Sequence, residues 1–148
     1  MTRSKFRQQV FVGKDVTNSL SAIVPQNNDG TAITGIGINR LGAQSGKFIF
    51  AAAAPTGTPS AVVALLRIET SDTLGSGYTT LVTLETAIDL AAAVCKEYLL
   101  SLSGAKKYVR AYFDSTYTTG TTPANIVCGQ LVLGDFDVEP KTAESLLG

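Results

Sequence analysis

Apolar positions recur at a spacing of two in several short runs along the chain, the period of a half-buried β-strand rather than of a helix. In AVVALLRIE, Val62, Ala64, Leu66 and Ile68 fall on one face, while Arg67 and Glu69 fall on the other. KKYVRAYFDSTY sets Val109, Ala111 and Phe113 against Tyr108, Arg110 and Tyr112, the cleanest alternation in the chain. Ile36 and Ile38 in GIGINRL, and Phe48 and Phe50 in GKFIFAAAA, repeat the spacing. TTLVTLE is Thr-rich and β-branched, as a pleated surface prefers, and IVCGQLVLG reads as a nearly continuous apolar strand. Gly129 in that strand is expected to mark a close approach or a bulge.

The breaks between these runs carry turn chemistry. Asp29-Gly30 favours a tight turn, Pro55 and Pro59 interrupt any continuous element, Asp72, Gly75 and Gly77 supply a further turn, and TTGTTPAN is a flexible loop. LETAIDLAAAVCKEYLLSL reads differently, because its alanines and the spacing of Leu84, Ala87, Ile88, Ala91 and Ala92 suit a helix. Tyr98, Leu100 and Leu102 nevertheless alternate with Leu99 and Ser101. The segment is therefore read as a helical turn or short helix near Leu90–Ala93 followed by a strand at about Glu97–Leu102. Many short strands with at most one short helix predict an all-β fold, a jelly-roll-like β-sandwich with an extended N-terminal arm. The expected organisation is an arm over residues 1–30, a sandwich domain over 31–140 and a C-terminal tail over 141–148.

A chain of 148 residues buries roughly 70% of its unfolded surface on folding, enough for a core without metal or disulfide staples. Histidine is absent, which removes Ser-His-Asp and Cys-His triads, His-ligated zinc and a proton shuttle poised near neutrality. Cys95 and Cys128 are too few for a four-cysteine cluster and form no C-x-x-C pair, so both are expected to be reduced core residues. The 12 Lys and Arg balance the 12 Asp and Glu, so the excess cation that phosphate neutralisation requires is missing and no nucleic-acid partner is expected. The longest apolar runs fall short of a membrane span, and the basic start has no apolar stretch of signal-peptide length behind it. A soluble chain without a membrane partner is expected.

Each constellation that resembles a chemical site has a plainer structural explanation. GIGINR imitates a dinucleotide loop, but Arg40 stands where the third glycine belongs and no βαβ unit surrounds it. Asp135, Asp137 and Glu139 alternate and would share one strand face, as calcium ligands or as a solvated strand end. Glu85 and Asp89, four apart, would pair on a helix, yet nothing around them suggests a substrate cleft. Tyr108, Arg110 and Tyr112 form an outward face suited either to stacking sugar rings or to packing on another subunit. No catalytic residue, metal site or cofactor is expected, and the chain is not read as an enzyme.

From mid-chain onward, TTLVTLETAIDLAAAVCKEYLLSLSG, then KKYVRAYFDSTYTTGTTP, then NIVCGQLVLGD resemble, in order and spacing, the jelly-roll capsid cement (decoration) proteins of tailed bacteriophages. The resemblance implies a structural virion protein on the outer surface of an icosahedral capsid, bridging neighbouring capsomers. Its implied partners are the major capsid protein and further copies of itself, a dimer before a trimer, with assembly in the host cytoplasm. A carbohydrate-binding or adhesin-type sandwich is the alternative reading of the same composition.

Charge is unevenly placed: Arg3, Lys5, Arg7 and Lys14 precede the first acid, whereas acids outnumber Lys141 near the end. Partner contact is accordingly expected from the arm, with Phe6 and Phe11 as apolar anchors and Arg3, Lys5 and Arg7 as charged contacts. Deleting the residues before Val16 should leave the melting temperature nearly unchanged while weakening sedimentation with expanded capsids; a large drop in melting temperature would instead make the arm part of the core.

Overall fold

The two cleanest alternating segments lie side by side in space. The computed structural model describes residues 21–40 and 42–136, and in it Ala61–Ser71 (β5) and Tyr108–Thr118 (β8) pair antiparallel without a register shift, from Ala61↔Thr118 to Ser71↔Tyr108. The remaining strands are Ser21–Asn28 (β1), Ile33–Thr34 (β2), Ile38–Asn39 (β3), Ala43–Ala52 (β4), Thr79–Asp89 (β6), Val94–Ser101 (β7) and Asn125–Phe136 (β9). One sheet has the order β1-β9-β4-β7, the other β2-β8-β5-β6 with β3 also on β8, and all pairs are antiparallel. Counting β2 and β3 as one interrupted strand gives two four-stranded sheets in the strand order of a jelly roll. The expected fold class is thus the observed one, an all-β sandwich.

Alternation decides which side chains meet between the sheets. Phe48, Phe50, Val127, Leu131 and Leu133 point inward from the first sheet. Val62, Leu66, Ile68, Val109 and Phe113 face them from the second. The rings of Phe50 and Phe113 stack across the gap with centroids 5.3 Å apart. Gly129 meets its expectation of a close approach, because a Cβ there would sit 2.5 Å from Cζ of Phe48.

Three expectations need correction. Residues 21–28, assigned to the arm, form β1 on β9, since Ala22 and Ile23 are buried and must be paired to be so. Among the described residues no helix occurs near Leu90–Ala93. Strand β6 runs on to Asp89 because Ile88 and Leu90 are core residues, and the Asp89 carboxylate accepts the Ala91 N–H at 2.9 Å to close a turn into β7. Tertiary burial here overrides the helical preference of three alanines. Third, Cys95 is exposed and Cys128 half-buried, because both occupy outward positions of their strands. Both are free thiols; each pairs in register with Ala51 from opposite sides, two strand spacings apart, beyond the reach of a disulfide.

At one end of the sandwich the loops 53–60 and 119–124 hold each other. Thr56 N–H donates to the Ala124 carbonyl at 2.8 Å, Thr121 N–H to the Gly57 carbonyl at 2.9 Å, and the hydroxyls of Ser60 and Thr119 lie 3.0 Å apart. Thr58, Thr119 and Thr122 all take positive φ there, a left-handed conformation that β-branched residues rarely adopt. Beneath this end, the Asn28 side-chain oxygen accepts from Ser115, and the Tyr117 hydroxyl donates to the Asn28 carbonyl at 2.7 Å. These bonds tie the end of β1 to β8 in the opposite sheet.

Replacing Phe113 or Leu131 by Ala should cost about 2–5 kcal/mol in urea unfolding. Thr121→Ala, in the exposed loop, should fall within about 0.5 kcal/mol of the wild type.

Candidate functional site

The outward face of the β5–β8 pair carries the largest built polar constellation among the described residues. Register sets Arg67 beside Tyr112 and Glu69 beside Arg110. Arg67 Nε donates to Glu69 Oε1 at 2.9 Å and Arg110 Nε to Glu69 Oε2 at 2.7 Å, so one carboxylate is shared by two guanidiniums. The Glu69 side chain is only 6% exposed, although it lies on the outward face. Its cover is the two arginines together with their tyrosines. The Arg67 guanidinium lies 3.9 Å from the centre of the Tyr112 ring, and that of Arg110 lies 3.9 Å from Tyr78. Lys107 adds a third cation 5.3 Å from the Tyr108 ring.

Tyr78 comes from the β5–β6 loop, and its hydroxyl donates to the Leu74 carbonyl at 2.9 Å. Burial pushes its phenol upward, with the nearby Arg110 acting the other way. Three cations against Glu69, with Asp114 next along the same face of β8, leave a small excess of positive charge, and the arginines and tyrosines are held in fixed orientations. Such a surface is suited to a planar or acidic partner group.

The expected face of Tyr108, Arg110 and Tyr112 is therefore real, but its chemistry differs from that of a sugar platform, since the protein's own guanidinium lies over the Tyr112 ring. Sequence reading missed Tyr78 and the Arg67–Glu69–Arg110 bridge. Residues 67 and 69 stood out only as the polar side of a strand, and their partners lie about forty positions away.

The other candidates have structural roles. In GIGINR, Gly35 permits contact: a Cβ there would run into the carbonyl oxygens of Ala22 and Ala111. Arg40 donates to the carbonyls of Lys106 at 2.8 Å and Ala43 at 2.7 Å, tying two loops together. Glu85 and Asp89 lie on strand β6, not on a helix, so they form no helical carboxylate pair. Glu85 instead crosses to the other sheet, where Lys96 Nζ and the Tyr98 hydroxyl each reach Oε1 at 2.7 Å. Those hydrogen bonds lower the Glu85 carboxyl, whereas burial and then the carboxylate raise the Tyr98 phenol. Among the described residues no group of three His, Cys, Asp or Glu side chains is placed to hold a metal. Arg3, Lys5, Phe6, Arg7 and Phe11 lie outside the described residues, as do Asp137, Glu139 and the tail. Asp135 lies on β9, and its side chain is outside that description.

A carboxyl held below its ordinary value of 4.5 in the folded state stabilises the fold above that value, and the contribution disappears as pH falls through the lowered one. At neutral pH Glu85→Gln should cost less than about 1 kcal/mol, the pair being partly exposed. Urea midpoints of the variant and the wild type should then converge on acidification below the ordinary glutamate range.

No protein-family model matches the chain, and no curated protein matches it. Among solved structures, a chain of the T13 IBDV viral particle has a similar fold, with a TM-score of 0.53 at 11% identity. The match covers 77% of this chain but 29% of the other, so this chain spans less than a third of the length of its neighbour. What the two share is a β-sandwich of the kind found in an icosahedral virus particle.

Proposed function

We propose that this chain is a structural virion protein, without catalytic activity, that binds the outer surface of an icosahedral phage capsid as a cement and bridges neighbouring capsomers. The observation that carries the proposal is the jelly-roll strand order, together with a fold similar to that of a chain of an icosahedral viral particle. The order of segments from TTLVTLE to NIVCGQLVLGD supports the narrower role, through its resemblance to capsid cement proteins.

The task needs no reactive group. A protein that binds the assembled lattice but not free subunits stabilises the lattice by mass action. An oligomer holding two capsomers gains further from high effective concentration at its second contact. The cluster of Arg67, Arg110, Lys107 and the three tyrosines is a contact surface of the appropriate kind, because Arg and Tyr dominate interface energetics when they are rigid before binding. Its partner on the shell is an acidic surface of the major capsid protein. A carbohydrate-binding role would require free ring faces, and here guanidiniums lie over Tyr78 and Tyr112.

Electron microscopy of virions made with and without this chain should show added density on the outside of the shell only when it is present. Purified protein should sediment with expanded shells, and Lys107→Glu should weaken that binding several-fold and reduce its sensitivity to salt. Shells of identical appearance in both preparations, with no co-sedimentation, would overturn the proposal.

A further inference from the structure

The outward face of the β1-β9-β4-β7 sheet carries the two most exposed large apolar side chains among the described residues, Leu99 and Ile126. Register sets its side chains in rows across β7, β4 and β9: Leu99, Lys47 and Val132; then Glu97, Ile49 and Gln130; then Cys95, Ala51 and Cys128. Leu99 is 85% exposed and Ile126, nearer the end of β9, 59% exposed, with Val24 of β1 also open. A further row, Ser101, Ser45 and Gly134, is polar or small, so the face mixes the two kinds of residue as a water-facing antiparallel sheet does, and it is Leu99 and Ile126 that set it apart.

We propose that this face packs against the same face of a second copy of the chain, making a two-fold dimer of face-to-face sheets. The inference deepens the self-association included in the proposed function by assigning it to a surface. Charge selects the occupant. Among the described residues the outward positions of this sheet carry one cation, Lys47, and one anion, Glu97, which lie 3.2 Å apart. A two-fold axis passing between Lys47 and Glu97 sets each opposite the other sign on the second copy, so about that axis the face is self-complementary.

Size agrees with this choice. Four strands about 4.8 Å apart, each about nine residues long at roughly 3.3 Å per residue, give a face of about 19 by 30 Å. Two such faces remove about 1,100 Å² from water, which reaches the lower range of specific interfaces. The small side chains of Cys95, Ala51 and Cys128 form a low row across the sheet. That relief lets a second sheet approach to the roughly 10 Å spacing of stacked sheets while Leu99 and Ile126 fill the margins.

Sedimentation equilibrium of the full chain should give twice the chain mass. Leu99→Lys, at a position with no core contact to lose, should weaken the dimer roughly tenfold or more while leaving the circular dichroism unchanged. Cys95 supplies an independent readout: thiol labelling should be slow in the dimer and fast on dilution or in the Leu99→Lys variant. Lys107→Glu, on the opposite face, should leave the mass unchanged. A monomeric or trimeric wild type, or a dimer indifferent to Leu99→Lys, would overturn the inference. A monomer whose shell binding is lost with Leu99→Lys would assign the face to the capsid, overturning the second-copy occupant but not the capsid role. A dimer of the expected behaviour that ignores shells would do the reverse.

Discussion

Phe50 and Phe113 meet midway between the sheets, and the rest of the molecule is arranged so that they can. Each belongs to a strand hydrogen-bonded on both sides, β4 between β9 and β7, β8 between β5 and the interrupted β2–β3 strand. Fixing the inward direction of one side chain on such a strand fixes every second residue along it and every directly opposed residue beside it. From the stack outward, Leu66 opposite Phe113, and Phe48 with Leu131 opposite it, must therefore also face the core. A shift of one residue in either central strand would move the full apolar set into water, so the register between β5 and β8 shows no irregularity.

The periphery tolerates more. β6 pairs with β5 through three register shifts and leaves most of its side chains exposed, and an irregular edge of this sort resists unplanned pairing with other chains. Closure of the sandwich along that side falls to polar groups: Glu85 of β6 receives Lys96 and Tyr98 of β7 across the gap. On the far side, Asn28, Ser115 and Tyr117 perform the equivalent task between β1 and β8. The apolar centre supplies stabilisation that depends little on geometry, and the polar margins set the distance and angle between the sheets.

Legibility in the sequence followed the same division. Where one strand face is core and the other is water, as in Val62–Ile68 and Val109–Phe113, alternation alone identified the buried set. Where small or apolar residues reach an outward face, the signal fails, and Cys95 was expected in the core because it closes the apolar run LAAAV. In LETAIDLAAAV the local preference of alanine and the demand of Ile88 and Leu90 for burial conflict, and the conflict is resolved only by the Val62 carbonyl that accepts the Leu90 N–H at 3.0 Å. The Glu69 bridge was illegible for a similar reason. Its two arginines lie on neighbouring strands whose pairing the sequence does not state, and Tyr78 arrives from a loop that reads only as turn material.

The two outward faces divide the surface by chemistry. One is cationic and aromatic, with its arginines already oriented by a buried carboxylate, so that binding an acidic group there requires little reordering. The other carries, among the described residues, a single ion pair and the two most exposed large apolar side chains, Leu99 and Ile126, and its stabilisation on association would come from area removed from water, with weak dependence on salt. In a dimer joined through these faces, the cationic faces point outward on opposite sides of a four-layer stack. Each copy then presents its polar face to a different neighbour, and the separation of the two contacts is set by the thickness of two rigid sandwiches. That separation is the property a bridge between capsomers requires, because effective concentration at the second contact falls away when the span and the spacer do not match. Rigidity in the spacer is what the Phe50–Phe113 core supplies.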